Sequence, residues 1–323
     1  MAAPVNVDSF VRAETARMLS DIQTSAGGVN RFRHNREPAS VHEQTVIRLN
    51  RDTLYSFAVV DVSRGASVTL PDAGERYLSA MVVDEDHFVT AIHHAPGRHD
   101  LGAGRSDDAG GSHVLVAVRV LVDAADPADL ARVAALQDEL VLTAGSAVPF
   151  SAPDTDPESL DDTRDALLRL ASRLVSFDRM FGRRDQVEPV RHLIGTAAGW
   201  GGLPTTEAAY AGLDPRLPPG RYDMTFTDVP VDAFWSVSVY DASGYFAPNA
   251  SGRYSVNSVM GDKDGDGSVT VRFLPADVEP ELPNAIPVPE GWNILVRLYR
   301  PRREVLDGTW TLPPLVPAEP DGR

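Results

Sequence analysis

The stretch Asn50-Arg51-Asp52-Thr53-Leu54-Tyr55-Ser56 places five polar side chains and a tyrosine at the entrance to a predicted β-strand, Tyr55–Val62. The segments around this strand are also rich in β-branched and aromatic residues, and turn signals such as Pro71-Asp-Ala-Gly74 separate them. The additional predicted strands are 45–49, 67–70, 77–83, 88–92 and 113–122. Short strands at this spacing, with no helices between them, favour an antiparallel sandwich or barrel over a parallel sheet.

Helical patterns precede and follow this β region. Residues 5–25 predict a helix that ends at Gly27-Gly28. Residues 128–142 and 158–181 predict two more helices, the second with Asp156 as its N-cap. After a glycine-rich turn segment at 192–203, strands return at 222–227, 233–240, 269–273 and 292–299. The chain is therefore expected to be mainly β with a helical insert, an α+β fold.

Composition excludes several classes of function. The formal charge is −16, from 46 acidic and 30 basic residues, which argues against nucleic acid as a partner because phosphate binding needs a basic surface. The absence of cysteine excludes disulfides, thiol nucleophiles and Cys-ligated zinc. No run approaches the 18 apolar residues of a membrane span. The start Met1–Phe10 has no basic segment followed by an apolar one, so we expect a cytoplasmic protein.

Several motifs, taken together and in order, resemble the paired bacterial domain-of-unknown-function families 1254 (N-terminal) and 1214 (C-terminal). The resemblance extends over nearly the whole chain. The motifs are Asn50-Arg-Asp-Thr-Leu-Tyr-Ser56, Pro71-Asp72, the Tyr77 strand, Gly199-Trp-Gly-Gly-Leu-Pro204, Ala209-Tyr210, Phe234-Trp-Ser-Val-Ser-Val-Tyr-Asp241, Gly244-Tyr245, Asn249, Arg253-Tyr-Ser255, Arg297-Leu-Tyr299 and Leu306-Asp-Gly-Thr-Trp310.

The resemblance implies two antiparallel β-sandwich or jelly-roll-like domains with a cleft between them, and no established activity. Combined with the periodicity, it predicts an N-terminal helix and β-sandwich domain at 1–126, a helical connecting segment at 127–215 and a C-terminal β-sandwich domain at 216–323. Many members of these families look exported, and this chain differs from them in its start.

The Asn50–Ser56 run is the first candidate site. In an extended strand Asn50 and Asp52 point to one side, while Arg51 and Tyr55 point to the other. A buried Asp beside an Arg stays ionised and can act as a base. Asp52, Tyr55 and Arg51 are therefore candidate catalytic residues, and Asn50 is a candidate for substrate binding. The alternative is a hydrogen-bond network that holds the start of the strand in place.

Two weaker candidates concern metal ions. The turn Ala95-Pro-Gly-Arg98 would set His94 opposite His99 across a hairpin, and His113 or the Asp84–Asp86 cluster could complete a metal site. Exposed loop histidines are the alternative. Asp262, Asp264 and Asp266 have the spacing of the first half of an EF-hand loop, but Phe273 stands where that loop needs a glutamate. A solvated turn is the alternative for these three residues.

Trp200, Arg253 and Tyr254 are additional candidates for substrate binding. Trp200 lies among glycines, and its indole could line a cleft or fill a core. Arg253 could bind a carboxylate or a sugar, or pair on the surface. The chain has no Gly-x-Ser-x-Gly and no His-Glu-x-x-His, so those hydrolase classes lack support. A serine triad recognised by geometry alone stays open.

Two functions from different classes are compatible with the sequence. One is an enzyme that acts on a small polar substrate in an interdomain cleft by acid/base hydrolysis or elimination. The other is a β-sandwich protein that binds a carbohydrate or metabolite without turnover. The sequence requires no cofactor, although its residues allow a divalent metal. The expected partner is a small-molecule ligand, and exposed strand edges would permit a homodimer.

Overall fold

The computed structural model describes residues 2–44, 47–102, 111–174, 176–278 and 282–318. Within these ranges the helices are α1 (Phe10–Ser25), α2 (Pro127–Asp138), α3 (Pro157–Ala171), α4 (Pro189–Gly199) and α5 (Arg303–Leu306). The strands are β1 (Arg33–His34), β2 (Thr53–Asp61), β3 (Ala66–Leu70), β4 (Leu78–Val83), β5 (Val89–His93), β6 (Gly97–Asp100), β7 (His113–Leu121), β8 (Val141–Ala144), β9 (Ala208–Leu213), β10 (Tyr222–Phe226), β11 (Trp235–Tyr240), β12 (Ser255–Asn257), β13 (Val269–Pro275), β14 (Ala285–Val288), β15 (Asn293–Tyr299) and β16 (Val316–Pro317). The mainly β, α+β class is confirmed.

The chain forms two compact units, and each unit is assembled from three separate segments. Unit 1 comprises residues 1–36, 54–121 and 131–205, and unit 2 comprises residues 37–53, 122–130 and 206–323. The linear division at 126 and 215 stays a prediction about independently folding domains. A cut at 216 would remove β9, whose residues pair with β15, from its sheet.

Unit 2 contains two four-stranded sheets packed face to face. One has the order β12-β11-β15-β9 and the other β14-β13-β10-β16, with β13 and β14 parallel and the other pairs antiparallel. Alternate side chains of a strand point to opposite faces. Val237 of β11, Val296 of β15 and Val271 of β13 therefore belong to one core that both sheets contribute to. This arrangement is that of a β-sandwich.

Unit 1 has a five-stranded sheet of order β1-β2-β7-β4-β5 and a three-stranded sheet of order β6-β3-β8. Every residue of β4 and β7 is buried, as expected for central strands. A separate apolar cluster joins α1, α3 and α4 through Phe10, Leu167 and Ile194. No helix in the described part of the chain is both long and apolar enough to cross a membrane.

Several predicted elements differ from the observed ones. The predicted strand 45–49 lies partly outside the described residues, and 47–49 form a turn and an irregular segment. The helix predicted at 128–142 ends at Asp138, and Val141 begins β8. The helix predicted at 158–181 ends at Ala171, where the Arg173 and Leu174 N–H groups donate three residues back instead of four.

Three other local predictions concern a turn segment, a helix N-cap and a second turn. The predicted turn segment 192–203 is helical as far as Gly199. The N-cap prediction is confirmed, because the Asp156 carboxylate accepts from the Ser159 N–H. The composition of Asp264-Gly-Asp-Gly267 predicts a hairpin turn, but this segment does not join two paired strands. It connects β12 to β13, and these strands belong to different sheets of unit 2.

Candidate functional site

The second face of the β11–β15 sheet in unit 2 is polar. Residues Ser236, Ser238 and Tyr240 alternate along β11 with the core residues, and Arg297 and Tyr299 do the same along β15. Ser236 and Arg297 are direct cross-strand partners. Hydrogen bonds join this face to the segment 37–53, which contains most of the run singled out from the sequence. Residues far apart in the chain thus form one polar cluster.

Arg297 is the centre of this cluster. Its side chain is almost fully buried. Nη1 donates to Ser238 Oγ at 2.9 Å, and Nη2 donates to Arg48 O at 2.8 Å, Leu49 O at 3.1 Å and Tyr240 Oη at 2.7 Å. A buried charge is tolerated only when its hydrogen bonds are made. Arg297 therefore fixes the backbone that leads into the Asn50–Ser56 run.

Electrostatic effects keep Arg297 charged. Burial by itself lowers the pKa of a guanidinium, since the charged form loses its hydration. The phenols of Tyr240 and Tyr299 and the carboxylate of Asp52 outweigh burial, so that the pKa of Arg297 is raised above its ordinary value. The cluster therefore contains a permanent positive charge.

Asp52 is the carboxylate of the cluster and is 2% exposed. Its Oδ2 accepts from the Ser236 hydroxyl at 2.6 Å, and its N–H donates to Asn50 Oδ1 at 2.9 Å. Its other oxygen, Oδ1, is buried and has no hydrogen-bond donor among the described residues. Buried carboxylate oxygens normally have a partner, so this atom is the chemically distinctive one of the cluster.

Asn50 links the run to β15. Its Nδ2 donates to Thr53 Oγ1 at 3.2 Å and to Tyr299 Oη at 2.9 Å. Tyr299 stacks on Phe234, the residue before β11, with ring centroids 4.1 Å apart. The structure thus brings Asn50 and Asp52 into one network, as the run predicted. The partners Ser236, Arg297 and Tyr299 were not predicted as site residues.

Arg51 and Tyr254 also meet in unit 2. The Arg51 guanidinium lies over the Tyr254 ring, 5.3 Å from its centroid, and donates to Ala39 O. Burial lowers the pKa of Arg51, and Tyr254 and Asp52 partly offset that effect. Tyr254 packs in a cluster of buried aromatic residues. Arg253 is exposed, and its Nη1 donates weakly to Leu282 O at 3.4 Å.

Two predicted residues, Tyr55 and Trp200, belong to unit 1. The Tyr55 ring stacks on Phe57 and lies under the Arg119 guanidinium, 5.2 Å from its carbon. The Trp200 indole donates to Thr15 Oγ1 at 3.1 Å and stacks on His87 with centroids 5.4 Å apart. Within unit 1 these two residues are connected through Arg119, which donates to Gly201 O at 2.9 Å.

His87 is a buried histidine that the sequence did not mark. It lies in the turn between β4 and β5 at φ 65°, a left-handed conformation that few non-glycine residues adopt. Its Nε2 accepts from the Gly201 N–H, and its Nδ1 is 2.8 Å from Thr196 Oγ1. Burial, and to a smaller extent His192, lowers its pKa to about 3. The ring is therefore neutral. No spacing pattern predicts this contact, because 114 residues separate its partners.

A serine–histidine pair is also present in unit 1. Ser56 Oγ lies 2.8 Å from His34 Nδ1, in directly opposed positions of β1 and β2, and accepts from Gln137 Nε2 at 3.1 Å. Ser56 is fully buried at 0% exposure. A nucleophile must reach its substrate, so this pair reads as a cross-strand hydrogen bond and not as a catalytic dyad.

The histidine pair proposed for metal binding is arranged differently from the prediction. β5 pairs with β4 and β6 pairs with β3, so the hairpin that would set His94 opposite His99 does not form. The ring that stacks on His99 is that of His93, with centroids 4.3 Å apart. His94 Nδ1 donates to Leu78 O, and His99 Nε2 donates to Ala95 O. His113 is engaged with Ser112 Oγ and Val148 O.

The aspartates of the 262–266 segment mostly accept from nearby side chains. Asp264 accepts from the hydroxyls of Thr270 at 2.6 Å and Ser268 at 3.4 Å, and Asp266 accepts from Ser268 at 2.7 Å. Asp262 contacts Asn284 through its backbone. In the described ranges, no three His, Asp or Glu side chains are grouped so that they could hold a metal ion.

Solved structures share this fold. The VPA0106 protein from Vibrio parahaemolyticus superposes with a TM-score of 0.73 at 18% identity, covering 97% of this chain and 98% of that one. An uncharacterized protein from Burkholderia cenocepacia superposes with a TM-score of 0.50 at 12% identity, covering 92% of this chain and 85% of that one. At such identities the likeness concerns the fold alone.

Family comparisons agree with the motifs. Two models described as proteins of unknown function match the chain, DUF1254 at residues 29–106 and DUF1214 at residues 213–303. Among curated proteins no significant match is found. The chain therefore combines a DUF1254 region with a DUF1214 region that follows it, in the order that its sequence motifs predict.

Proposed function

We propose that the protein is an enzyme that acts on a small polar substrate by acid/base hydrolysis or elimination, with the Asp52 carboxylate as the general base. The observation that carries the proposal is the asymmetry of this carboxylate. Oδ2 is fixed by Ser236, whereas Oδ1 is buried without a donor. A general base needs one oriented oxygen that is able to take a proton.

The neighbours of Asp52 support a polar substrate. The Ser236 hydroxyl donates to the carboxylate, the Asn50 amide accepts from the Asp52 N–H, and Arg297 supplies a fixed positive charge in the same cluster. Asn50 and Tyr299 would orient hydroxyl or carbonyl groups of the substrate. In this proposal Arg51 and Tyr254 border the same region of unit 2.

The alternative is a protein that binds a carbohydrate or metabolite without turnover. The near-complete burial of Asp52, at 2% exposure, favours it, because a proton-transfer group must come within hydrogen-bond reach of its substrate. A homodimer through exposed strand edges belongs to the same set of proposals. The mass of the protein in solution tests that part.

Asp52→Asn distinguishes the two functions. The protein is incubated with pools of small esters, amides and polyhydroxylated compounds; conversion is followed by proton NMR and binding by thermal shift. We expect Asp52→Asn to reduce conversion by about 100-fold or more, the usual contribution of a general base, with the fold intact by NMR. Asp223→Asn, a half-buried carboxylate of β10, is the matched control and keeps full activity.

The outcomes separate clearly. Conversion that is equally fast in wild type and Asp52→Asn rejects Asp52 as the base. Binding without conversion, weakened by Asp52→Asn and unaffected by Asp223→Asn, establishes the non-catalytic alternative. No conversion and no binding across the pools contradicts both functions for these substrate classes.

A further inference from the structure

The glycine-rich turn that follows α4 in unit 1 is held by hydrogen bonds at both the N–H and the carbonyl of Gly201. The Gly201 N–H donates to His87 Nε2 at 2.8 Å, and the Gly201 carbonyl accepts from Arg119 Nη2 at 2.9 Å. Gly201 has φ +75°, and a Cβ at Gly202 would come within 2.5 Å of the Phe181 ring. The turn therefore depends on glycine, and its position depends on two side chains from the five-stranded sheet and its β4–β5 turn.

The hydrogen bonds determine the tautomer of His87. A backbone N–H can only donate, so Nε2 must be the unprotonated nitrogen. Nδ1 then carries the proton and donates to Thr196 Oγ1, whose hydroxyl donates to His192 O at 2.9 Å. The chain of donors runs in one direction from Gly201 to α4. A second proton on His87 would lie on Nε2, where the Gly201 N–H already donates.

The charged and titratable groups around His87 oppose its protonation or are already engaged. His192 of α4 stacks on it with centroids 5.5 Å apart and lowers its pKa. Arg119 of β7 donates to the Gly201 carbonyl. From the turn that contains His87, the Asp84 carboxylate accepts from two backbone N–H groups. Burial raises the pKa of Asp84 to about 6, so its own titration is present equally in wild type and in His87→Gln. Asp86 of that turn pairs with Arg12 of α1 and with Arg184.

We propose that His87 and Gly201 form an acid-sensitive latch that releases the 199–202 turn, and Trp200 with it, when His87 takes up a proton. A protonated Nε2 turns the acceptor of the Gly201 N–H into a second donor, so the hydrogen bond is replaced by a donor–donor contact. The Trp200 indole, which stacks on His87 and bonds to Thr15, loses its support at the same time. Arg119 continues to donate to the Gly201 carbonyl and so limits the opening to this turn.

The latch predicts a specific proton dependence. In the closed state His87 stays neutral down to about pH 3, whereas in the open state a histidine titrates at about 6.5. Opening therefore takes up one proton between these values, and the opening constant rises by about tenfold for each pH unit of acidification. Amide hydrogen exchange at Gly201, corrected for the intrinsic rate, measures this constant between pH 6 and pH 4.

Two variants and one direct observation test it. His87→Gln keeps an acceptor for the Gly201 N–H and cannot titrate, so we expect the pH slope at Gly201 to disappear while protection remains. His42→Gln, at an exposed histidine, should leave the slope unchanged. In the wild-type protein at neutral pH, ring nitrogen NMR shifts should show His87 protonated at Nδ1 alone.

The proposal is overturned by either of two results. One is an Nε2–H tautomer of His87 in the wild-type protein. The ring nitrogen NMR shifts show this tautomer directly, without any variant. The other is Gly201 protection that does not change between pH 6 and pH 4 in wild type, or that changes equally in wild type and His87→Gln. The indole N–H signal of Trp200, assigned with Trp200→Phe, should shift over the same pH range as Gly201 protection falls.

Discussion

At the scale of single residues, Arg297 explains why a β-sandwich sheet has a polar second face. Four acceptors take its hydrogens, and two of them are backbone carbonyls of Arg48 and Leu49. A lysine presents a compact ammonium and cannot reproduce the planar fork. Arg297 thus holds the backbone of Arg48 and Leu49, which lead to Asp52, against the β11–β15 sheet.

Arg297→Met should destabilise the protein strongly. The substitution leaves Arg48 O, Leu49 O and the Tyr240 hydroxyl with fewer partners, and unsatisfied buried groups cost about 1–3 kcal/mol each. We expect the free energy of unfolding to fall by about 3 kcal/mol or more, measured by denaturant titration. Arg302→Met, at an exposed arginine paired with Asp232, is the control and should leave the stability unchanged within error.

The same residue shows what the sequence could reveal at this scale. The Asn50–Ser56 run predicted that Asn50 and Asp52 would share a side of the chain, and the structure places both in one network. Arg297 was visible only as a charged residue in the alternating strand 292–299, because two of its partners lie 249 and 248 residues away in the chain and the other two 59 and 57. His87 gave no signal, since nothing in a local pattern predicts a left-handed buried histidine.

At the scale of secondary-structure elements, α1 and α3 are joined by a buried carboxylate. Glu14 of α1 is 3% exposed and accepts from Arg17 of its own helix and from Arg164 of α3. Burial would raise the pKa of Glu14, but the hydrogen bonds from Arg17 and Arg164 lower it below its ordinary value. This ion pair adds to the apolar contacts between α1 and α3.

Glu14→Gln should lower the stability by ~2 to 3 kcal/mol at neutral pH. That is less than the 3–5 kcal/mol for breaking a fully buried pair, because Arg17 is partly exposed. A carboxyl group whose pKa is lowered by folding stabilises the folded state at pH values above its unfolded pKa of 4.5. This stabilisation is lost as the pH falls through the lowered pKa of the folded state. The difference between wild type and Glu14→Gln should therefore shrink below pH 4.5.

Denaturant titrations from pH 3 to pH 8 check this prediction. Asp21→Asn removes another partner of Arg17, one with 65% side-chain exposure, and serves as the matched control without a pH-dependent effect. A Glu14→Gln deficit that stays constant over the whole pH range would contradict the role assigned to the ion pair.

Element prediction succeeded where a side-chain period was clear. The strands at 113–122 and 292–299 correspond closely to β7 and β15. Two of the errors arose at helix ends. The apolar spacing of α3 continues past Ala171, but the backbone leaves the helix there. Strands β9, β12, β14 and β16 are short or contain Gly or Pro, so their sequences carry little β signal.

At the scale of the molecule, the two units are discontinuous in sequence. Segment 37–53 contributes Asn50 and Asp52 to a sheet formed by residues 208–299. Composition and periodicity correctly indicated the class of fold. A linear reading could not assign a short segment from the first sixth of the chain to the unit formed mainly by its last third.

We therefore predict that residues 206–323 alone do not fold cooperatively. Without segment 37–53, the buried guanidinium of Arg297 loses two carbonyl acceptors and Ser236 loses Asp52. Proton–nitrogen NMR of this fragment should show poor dispersion, and adding a peptide of residues 37–53 should restore part of it. A peptide carrying Asp52→Asn is the control and should be less effective. A well-dispersed spectrum of the fragment alone would refute the prediction.

The covered polar face of unit 2 also has a consequence for synthesis on the ribosome. Asp52 and Arg297 interact electrostatically in the folded unit. At about 5–20 residues per second, roughly 12 to 50 seconds pass between the synthesis of these two residues. Early in that interval the nascent segment 37–53 has none of its sheet partners, because β11 with Ser236 is made later and Arg297 is made at its end. Unit 2 is therefore expected to be completed only near the end of translation, and binding of a chaperone to the early segment would affect the yield of the whole protein.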